Sequence, residues 1–160
     1  MKTTGIRTVG VLLMAWAMAL PAGAAEPAPR AGTVKLVKGQ VRVQNASGER
    51  ALQSGDALST ADRVVTGADS SVSVVLRDGT VVVIGPASRL ELKAFDFDTT
   101  THEGNLAVAL LRGTLRMVTG LIGKTRHDAV KVETPTSTVG ILGTDFIVEA
   151  LDPAAAGAQP

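Results

Sequence analysis

The segment S-V-S-V-V-L-R-D-G-T-V-V-V-I at positions 71–84 carries the clearest structural signal in the chain. Its first half alternates valine with serine, which is the period of a strand that buries one face. The pair Asp78-Gly79 follows, a sequence typical of a tight two-residue hairpin turn, and an unbroken apolar run then returns. The segment therefore predicts a β-hairpin with Asp78 and Gly79 as its turn residues.

The sequence before this hairpin continues in short apolar segments. On either side of Gly39, apolar residues alternate with other residues, which predicts two half-buried strands with Val34 and Leu36 on the buried face of the first. Residues 45–48 predict a turn. Residues 52–66 mix turn-forming residues with isolated apolar ones, so they predict a loop followed by one short strand.

The sequence after the hairpin repeats this organisation. Residues 90–97 resume the apolar alternation, with a phase shift between Leu92 and Phe95. Residues 106–118 predict two strands on either side of an Arg-Gly pair. Residues 119–129 contain glycines and basic residues and predict an exposed loop.

These segments together predict an all-β fold class. We count about ten strands of roughly four to seven residues, separated by Gly-centred turns. The sequence contains only three Phe and no Tyr, so Val, Leu and Ile must form the core, which favours β-structure. We expect a single domain, arranged as a sandwich, a roll or an irregular solenoid-like fold.

The first 24 residues are typical of a secretory signal peptide. Lys2 and Arg7 precede an apolar segment, and small residues suited to signal-peptidase cleavage follow it. The apolar segment is shorter than the roughly 20 residues that a membrane-spanning helix needs. We therefore expect export to the periplasm and the following division of the chain: signal peptide 1–24, flexible spacer 25–31, β domain 32–150 and disordered tail 151–160.

Charge and cysteine content exclude several classes of function. Without Lys2 and Arg7, the 16 basic residues of the whole chain fall to 14, against 15 acidic residues, which leaves a net charge of −1. A nearly neutral domain without a basic run gives no electrostatic reason to expect nucleic acid as a partner. The absence of cysteine excludes disulfides, thiol catalysis and Cys-ligated metals.

The candidate chemical groups of the chain form no catalytic pattern. Asp96, Asp98, His102 and Glu103 are potential ligands for a hard cation, but their segment lacks the central Gly and the terminal Glu of an EF-hand. We interpret it as a solvated, protruding loop. His102 and His127 both lie in polar segments, and no nucleophile motif accompanies them. The sequence predicts no catalytic, metal or cofactor site, and therefore no enzyme.

Two features are consistent with binding instead. Lys124, Arg126 and His127 form a basic segment that suits an acidic partner or a cell-wall polymer. A fold of many short strands also leaves sheet edges, and an unpaired edge can accept a strand from a partner.

The segment 130–149 reads V-K-V-E-T-P-T-S-T-V-G-I-L-G-T-D-F-I-V-E, two apolar runs separated by turn-forming residues. We interpret it as a structural closure in which Phe146 and Val148 cover the core. Gly143→Val is expected to destabilise the fold because Gly143 would need a positive φ. The motif residues of this closure are Thr134, Pro135, Gly140, Gly143, Thr144 and Phe146.

Seven short motifs occur in a fixed order: G-x-V at Gly39, G-D-x-L at Gly55, T-G-x-x-S at 66–70, L-R-D-G-T at 76–80, G-P-x-S at 85–88, L-R-G-T-L at 111–115 and T-P-T-S-T-V-G-I-L-G-T-D-F at 134–146. Together they resemble the FecR-type periplasmic domain family over residues 32–150. The resemblance implies a β-rich, non-catalytic module on the outer side of the bacterial inner membrane. In the signalling members, this module receives a cue from an outer-membrane transporter and relays it through a membrane helix to a cytoplasmic sigma-factor regulator.

The chain departs from the signalling members in two respects. A leader stands where they carry a cytoplasmic segment and a membrane helix, so we expect a stand-alone, secreted member, and direct sigma-factor control is not carried over to it. Leu142 stands where many members carry Arg, so no polar contact of that Arg is carried over. We expect an interaction or sensing module that binds a protein or an envelope component. The alternative is a structural cell-envelope scaffold that assembles through its β-strands.

Overall fold

The computed structural model describes residues 29–141 and 143–151. The predicted signal peptide, most of the expected spacer, nearly all of the expected tail and Leu142 lie outside these residues. Within them the fold is all-β, as predicted. No helix of this part of the chain is both long enough and apolar enough to cross a membrane.

The described part of the chain forms twelve strands, one short α-helix and one 3-10 turn. In order they are β1 (Arg30–Lys38), β2 (Val41–Asn45), β3 (Gly48–Ala51), β4 (Ala57–Ser59), β5 (Arg63–Thr66), β6 (Ser71–Leu76), β7 (Val81–Ile84), β8 (Arg89–Phe97), β9 (Gly104–Val118), α1 (Leu121–Thr125), the 3-10 turn (His127–Ala129), β10 (Val130–Glu133), β11 (Thr138–Gly140) and β12 (Asp145–Ala150).

The strands form one curled sheet around β9. The main path runs β3-β2-β5-β8-β9-β7-β6-β1-β4, while β10 and β12 also pair with β9, and β11 pairs with β10. Among the described strands, β10 and β9 are the parallel pair, and the other pairs are antiparallel. Buried residues from both parts of the path form one cluster that consists mainly of Val, Leu and Ile. The composition predicted this core because the chain offers few aromatic side chains.

β9 corrects the prediction of two separate strands over residues 106–118. It is one strand of 15 residues whose first part pairs with β8 and β10, and whose second part pairs with β7 and β12. Gly113, where the second part begins, has a φ of +87°, which a residue with a side chain rarely adopts. The Arg-Gly pair therefore changes the partners of a continuous strand instead of ending it.

The hairpin predicted over residues 71–84 is confirmed. β6 pairs antiparallel with β7, and Leu76 N donates to Thr80 O at 2.9 Å. Its connection is a three-residue loop rather than the predicted two-residue turn. Gly79, at the last position of this loop, has a φ of +85°, which glycine adopts readily and residues with a side chain rarely adopt.

Three other predictions differ from the structure. The segment 52–66, predicted as a loop and one strand, also contains β4. The exposed strand β3 precedes this segment, and no apolar alternation in its sequence predicts it. The segment 119–129, predicted as an exposed loop, contains α1 with a buried Ile122. β1 begins at Arg30, two residues before the expected start of the domain.

The alternation in β1 is interrupted by a bulge that the sequence did not predict. The pairing of β1 with β6 shifts between Val34 and Leu36, so Leu36 points outward and is 63% exposed. Val37 packs against the core in its place. An extra residue in one strand reverses the alternation beyond it. The similar phase shift predicted between Leu92 and Phe95 is confirmed, because the β8–β9 register shifts between Leu92 and Ala94.

This bulge leads to a testable difference between two apolar residues of one strand. Leu36→Ser is expected to change the free energy of unfolding by less than about 0.5 kcal/mol, because the side chain is in solvent. Val34→Ala is expected to lower it by about 2 kcal/mol, because Val34 is fully buried. Urea denaturation measures both. Equal losses for the two variants would contradict the outward position of Leu36.

Candidate interaction surface

Three of the ordered motifs meet in one buried network, which joins the end of β5 and the turn between β7 and β8 to β9. Ser88 N donates to Thr66 Oγ1 at 2.9 Å, and Thr66 Oγ1 donates to Gly85 O at 2.6 Å. Thr114 N donates to Ser88 Oγ at 2.9 Å. Ser88 and Thr66 are buried, so the hydroxyls replace water as partners of backbone groups. The hydrogen bonds of the motifs at 66–70, 85–88 and 111–115 therefore stabilise the fold, while Ala68, Asp69, Pro86 and Ala87 within them remain exposed.

The motif at 76–80 forms a second buried network with the start of α1. The Asp78 carboxylate accepts hydrogen bonds from Thr80 N at 3.0 Å and from Thr80 Oγ1 at 2.6 Å. Thr80 Oγ1 in turn accepts from Gly120 N at 2.9 Å, and Leu121 N donates to Asp78 O at 2.9 Å. Asp78 therefore does more than form the predicted turn, because its hydrogen bonds order the loop between β6 and β7 and connect that loop to the start of α1.

The last motif, at 134–146, divides into an anchored part and an exposed part. In the anchored part, Thr119 N donates to Thr144 O at 2.8 Å. Arg116 contacts both carboxylate oxygens of Asp145, with Nε–Oδ1 at 3.1 Å and Nη2–Oδ2 at 2.7 Å. This hydrogen bonding lowers the pKa of Asp145 below its usual value. Phe146 packs against the core while remaining partly exposed, as Val148 does.

The exposed part, residues 135–140, belongs to a hairpin formed by β10, β11 and the turn between them, residues 130–140, which we call the signature hairpin. Its two strands join through Thr134 and Ser137, with Thr134 N donating to Ser137 O at 2.7 Å. Every residue from Pro135 to Gly140 is exposed. Buried Val130 and Val132 of β10 attach the hairpin to the core.

The positive φ predicted at Gly143 stays a prediction, because this angle involves Leu142, which lies outside the described residues. Gly140 has no positive φ, and a Cβ built on Gly140 or Gly143 meets no atom of the described residues within 4 Å. Gly113 and Gly120 are among the glycines that have no room for a side chain, because a Cβ there would overlap Ser88 and the Asp78–Thr80 backbone, respectively. The two glycines of the last motif therefore have no steric reason among the described residues.

β11 presents an open edge. Its partner within the described residues is β10, in the register Val132 with Val139 and Glu133 with Thr138. Thr134 and Ser137 exchange both hydrogen bonds across the turn, so the alternation of an antiparallel ladder makes Val132 and Val139 the next bonded pair. The N–H and C=O groups of Thr138 and Gly140 consequently point away from β10.

A groove lies beside this edge. Its volume is about 600 Å³, and it is lined by Thr125, Arg126, His127, Asp128, Gly140 and Ile141. Ile141 is buried and gives the groove an apolar part. The basic segment predicted from the sequence therefore lies beside the exposed glycine of the last motif, which the sequence did not predict.

The charges around the groove are mixed, and the exposed Lys124 and Lys131 near it form no direct ion pair within the described residues. Arg126 Nη2 and Asp128 Oδ2 are 3.2 Å apart, and this hydrogen bond lowers the pKa of Asp128 and raises the pKa of Arg126. Lys131 faces Gly140 across the β10–β11 ladder and is exposed, and its charge also helps to lower the pKa of Asp128. Within the described residues, Lys131 makes no ion pair.

The acidic segment predicted to protrude is a compact turn. Asp96 lies in β8, opposite Asn105, so the loop itself is limited to residues 98–103. The Asp98 carboxylate accepts from Thr101 N at 3.0 Å and from Thr100 N at 2.7 Å, and these bonds lower the pKa of Asp98. The His102 ring stacks on Phe97 with centroids 6.4 Å apart.

These placements bring no reactive group into a site. Among residues 29–141 and 143–151, no three His, Asp or Glu side chains are grouped to hold a metal ion. In the same part of the chain, neither His102 nor His127 is hydrogen bonded to a serine or an acidic side chain. The exposed hairpin and its groove are therefore the strongest candidate surface, and they suit binding rather than bond-making chemistry.

Comparison with known proteins assigns part of this chain to a described family. A family model described as FecR protein matches residues 62–157, more than half of the chain. A solved structure described as "Cell surface anchoring domain" is 39% identical over 39% of this chain and 84% of that chain, with a TM-score of 0.38. No curated protein matches the chain.

Proposed function

This chain belongs to the FecR protein family, and from that membership we propose that it is an envelope module that binds a protein or another envelope component through its signature hairpin. The family is one of periplasmic sensing and signalling domains and is regulatory rather than enzymatic. The proposal assigns this general role to one surface of the domain, the signature hairpin. It also places the mature domain in the periplasm, reached through the predicted signal peptide.

One observation carries the proposal. Residues of the motifs at 66–70, 76–80, 85–88 and 111–115 form hydrogen bonds in the interior of the fold, whereas every residue of the last motif from Pro135 to Gly140 is exposed. An exposed segment of this length is available for recognition. The open edge of β11 and the adjacent groove supply the backbone groups and the space for a partner.

Photo-crosslinking in intact cells tests this proposal. A photoreactive phenylalanine analogue at Thr136, in the exposed turn, is expected to give one or a few discrete adducts with other proteins. The same analogue at Ser47, in the exposed turn between β2 and β3, is the matched control and is expected to give none. Adducts of equal pattern at both positions, or none at either, would contradict a binding role for the hairpin.

The scaffold alternative has an observation of its own. In the described part of the chain, β3, β4, β11 and β12 each pair with one strand, so the sheet retains several edges at which copies of this chain could assemble. The same crosslinking experiment distinguishes the two functions. Adducts between copies of this chain support the scaffold, and adducts with a different protein support the binding module.

A further inference from the structure

We infer that the partner of this surface is an extended, acidic segment that adds to β11 as a further strand. This inference rests on the proposed function and specifies its mode and its ligand class. It requires three properties of the surface: unpaired backbone groups in strand geometry, room for another backbone, and a positive charge that forms no direct ion pair with a described residue. The signature hairpin has all three.

The unpaired backbone groups belong to Thr138 and Gly140, which lie on either side of Val139 in β11. Thr138 and Gly140 direct their N–H and C=O groups away from β10, because Val139 lies between them and bonds with Val132. An incoming strand can therefore form the regular ladder at Thr138 and Gly140. The net contribution of each hydrogen bond is small because it replaces a hydrogen bond to water, so this backbone pairing is modest by itself and needs side-chain contacts for specificity.

Room for the incoming strand is provided by glycine at one of these positions. A Cβ at Gly140 would meet no atom within 4 Å, so the surface above it is open. The groove of about 600 Å³ begins at Gly140 and continues along Ile141 to residues 125–128. A side chain of the added strand near Gly140 can enter this groove and contact Ile141.

The charge of the ligand follows from Lys131 and Arg126. Lys131 lies directly opposite Gly140 in the β10–β11 ladder, so its side chain is on the face of the sheet that a side chain at position 140 would share. Asp128 is already hydrogen bonded to Arg126, which leaves Lys131 as the cation that a carboxylate can approach over Gly140. An acidic side chain on the added strand is therefore favoured at this place, and a basic one is repelled.

A synthetic peptide of defined composition tests the inference on the purified protein. The probe is a fluorescein-labelled octapeptide of alternating valine and threonine with two central aspartates, and its matched control carries two lysines instead. Fluorescence anisotropy is expected to show binding of the acidic probe at least about tenfold tighter than binding of the basic one. Amide hydrogen exchange is expected to slow at Thr138 and Gly140 when the acidic probe is bound. The amide of Val139 is already bonded and is expected to change little.

Two variants separate strand addition from general charge attraction. Thr138→Pro removes an outward N–H and is expected to weaken binding of the acidic probe at least about tenfold. Ala51→Pro makes the same change on β3, an exposed edge elsewhere in the sheet, and is expected to leave binding unchanged. Lys131→Glu, at an exposed position, is expected to reverse the preference toward the basic probe.

Specific outcomes overturn the inference. Binding of the acidic probe without protection of Thr138 and Gly140 would exclude strand addition, and an equal effect of Ala51→Pro would show that the edge is not specific. If the photoreactive analogue at position 136 gives discrete crosslinks in cells while neither peptide binds, the proposed function stands and the inference of an added acidic strand is wrong. If Thr136 gives no adducts, the proposed function fails first.

Discussion

Gly113→Ala is expected to lower the free energy of unfolding by about 3–5 kcal/mol, the largest effect of any substitution considered for this chain. Two causes combine. The φ of +87° at Gly113 is strained for any residue with a side chain, and the added methyl group would overlap the Cα, Cβ and Oγ atoms of Ser88. Ser88 cannot move away freely, because it is buried and hydrogen bonded to Thr66 and Thr114.

Chemical denaturation and the thermal midpoint measure this effect, which corresponds to a decrease of roughly 10–20 °C for a domain of this size. Gly140→Ala and Gly143→Ala are the matched controls, since a Cβ at either position meets no atom of the described residues within 4 Å. Each control is expected to stay within about 0.5 kcal/mol of the unsubstituted protein. A loss at Gly143 as large as that at Gly113 would restore the structural interpretation of the last motif and remove the support for a binding role.

Thr80→Val is expected to lower the free energy of unfolding by about 2–5 kcal/mol, although the two side chains have nearly the same shape. The Thr80 hydroxyl lies between two buried groups, donating to Asp78 Oδ2 at 2.6 Å and accepting from Gly120 N at 2.9 Å. Valine would leave both groups without this partner in a region where Asp78 and Thr80 are fully buried. The cost comes from two polar groups that lose hydrogen bonds without regaining water.

Thr80→Ser keeps the hydroxyl and loses one methyl group, so it is expected to cost only about 1 kcal/mol. Thr136→Val, the same change at an exposed position, is expected to be nearly neutral. If Thr80→Val is no more destabilising than Thr80→Ser, the hydroxyl does not connect the β6–β7 loop to α1 in the way described.

Local patterns in the sequence predicted those parts of the fold in which neighbouring residues decide the outcome. The 71–84 hairpin, the strands around Gly39 and the phase shift after Leu92 are confirmed because each depends on alternation and on a nearby turn. Leu36 shows where this reasoning ends. Its orientation depends on the pairing of β1 with β6, a strand more than 30 residues away in the chain, and no local pattern contains that information.

The candidate surface was predictable only in part, and for a related reason. The order of seven motifs indicated the family, and the basic segment at residues 124–127 was identified as a possible contact. The sequence assigned the last motif a backbone role, because turn-forming residues read the same whether they are buried or exposed. The structure separates them. Gly113 packs so closely against Ser88 that a Cβ would not fit, whereas a Cβ at Gly140, on the edge strand β11, would meet no atom within 4 Å.

The sequence by itself determined the all-β class, the aliphatic core, the main hairpin and the family, since these follow from composition, period-two alternation and motif order. The tertiary structure decided which residues meet: that β9 continues through Gly113 to change partners, that Asp78 is buried beneath α1, and that the edge of β11 lies beside a groove with Lys131 opposite Gly140. The physical reason is that strand pairing joins residues far apart in the chain. Burial and edge exposure arise from that pairing and not from any residue and its neighbours.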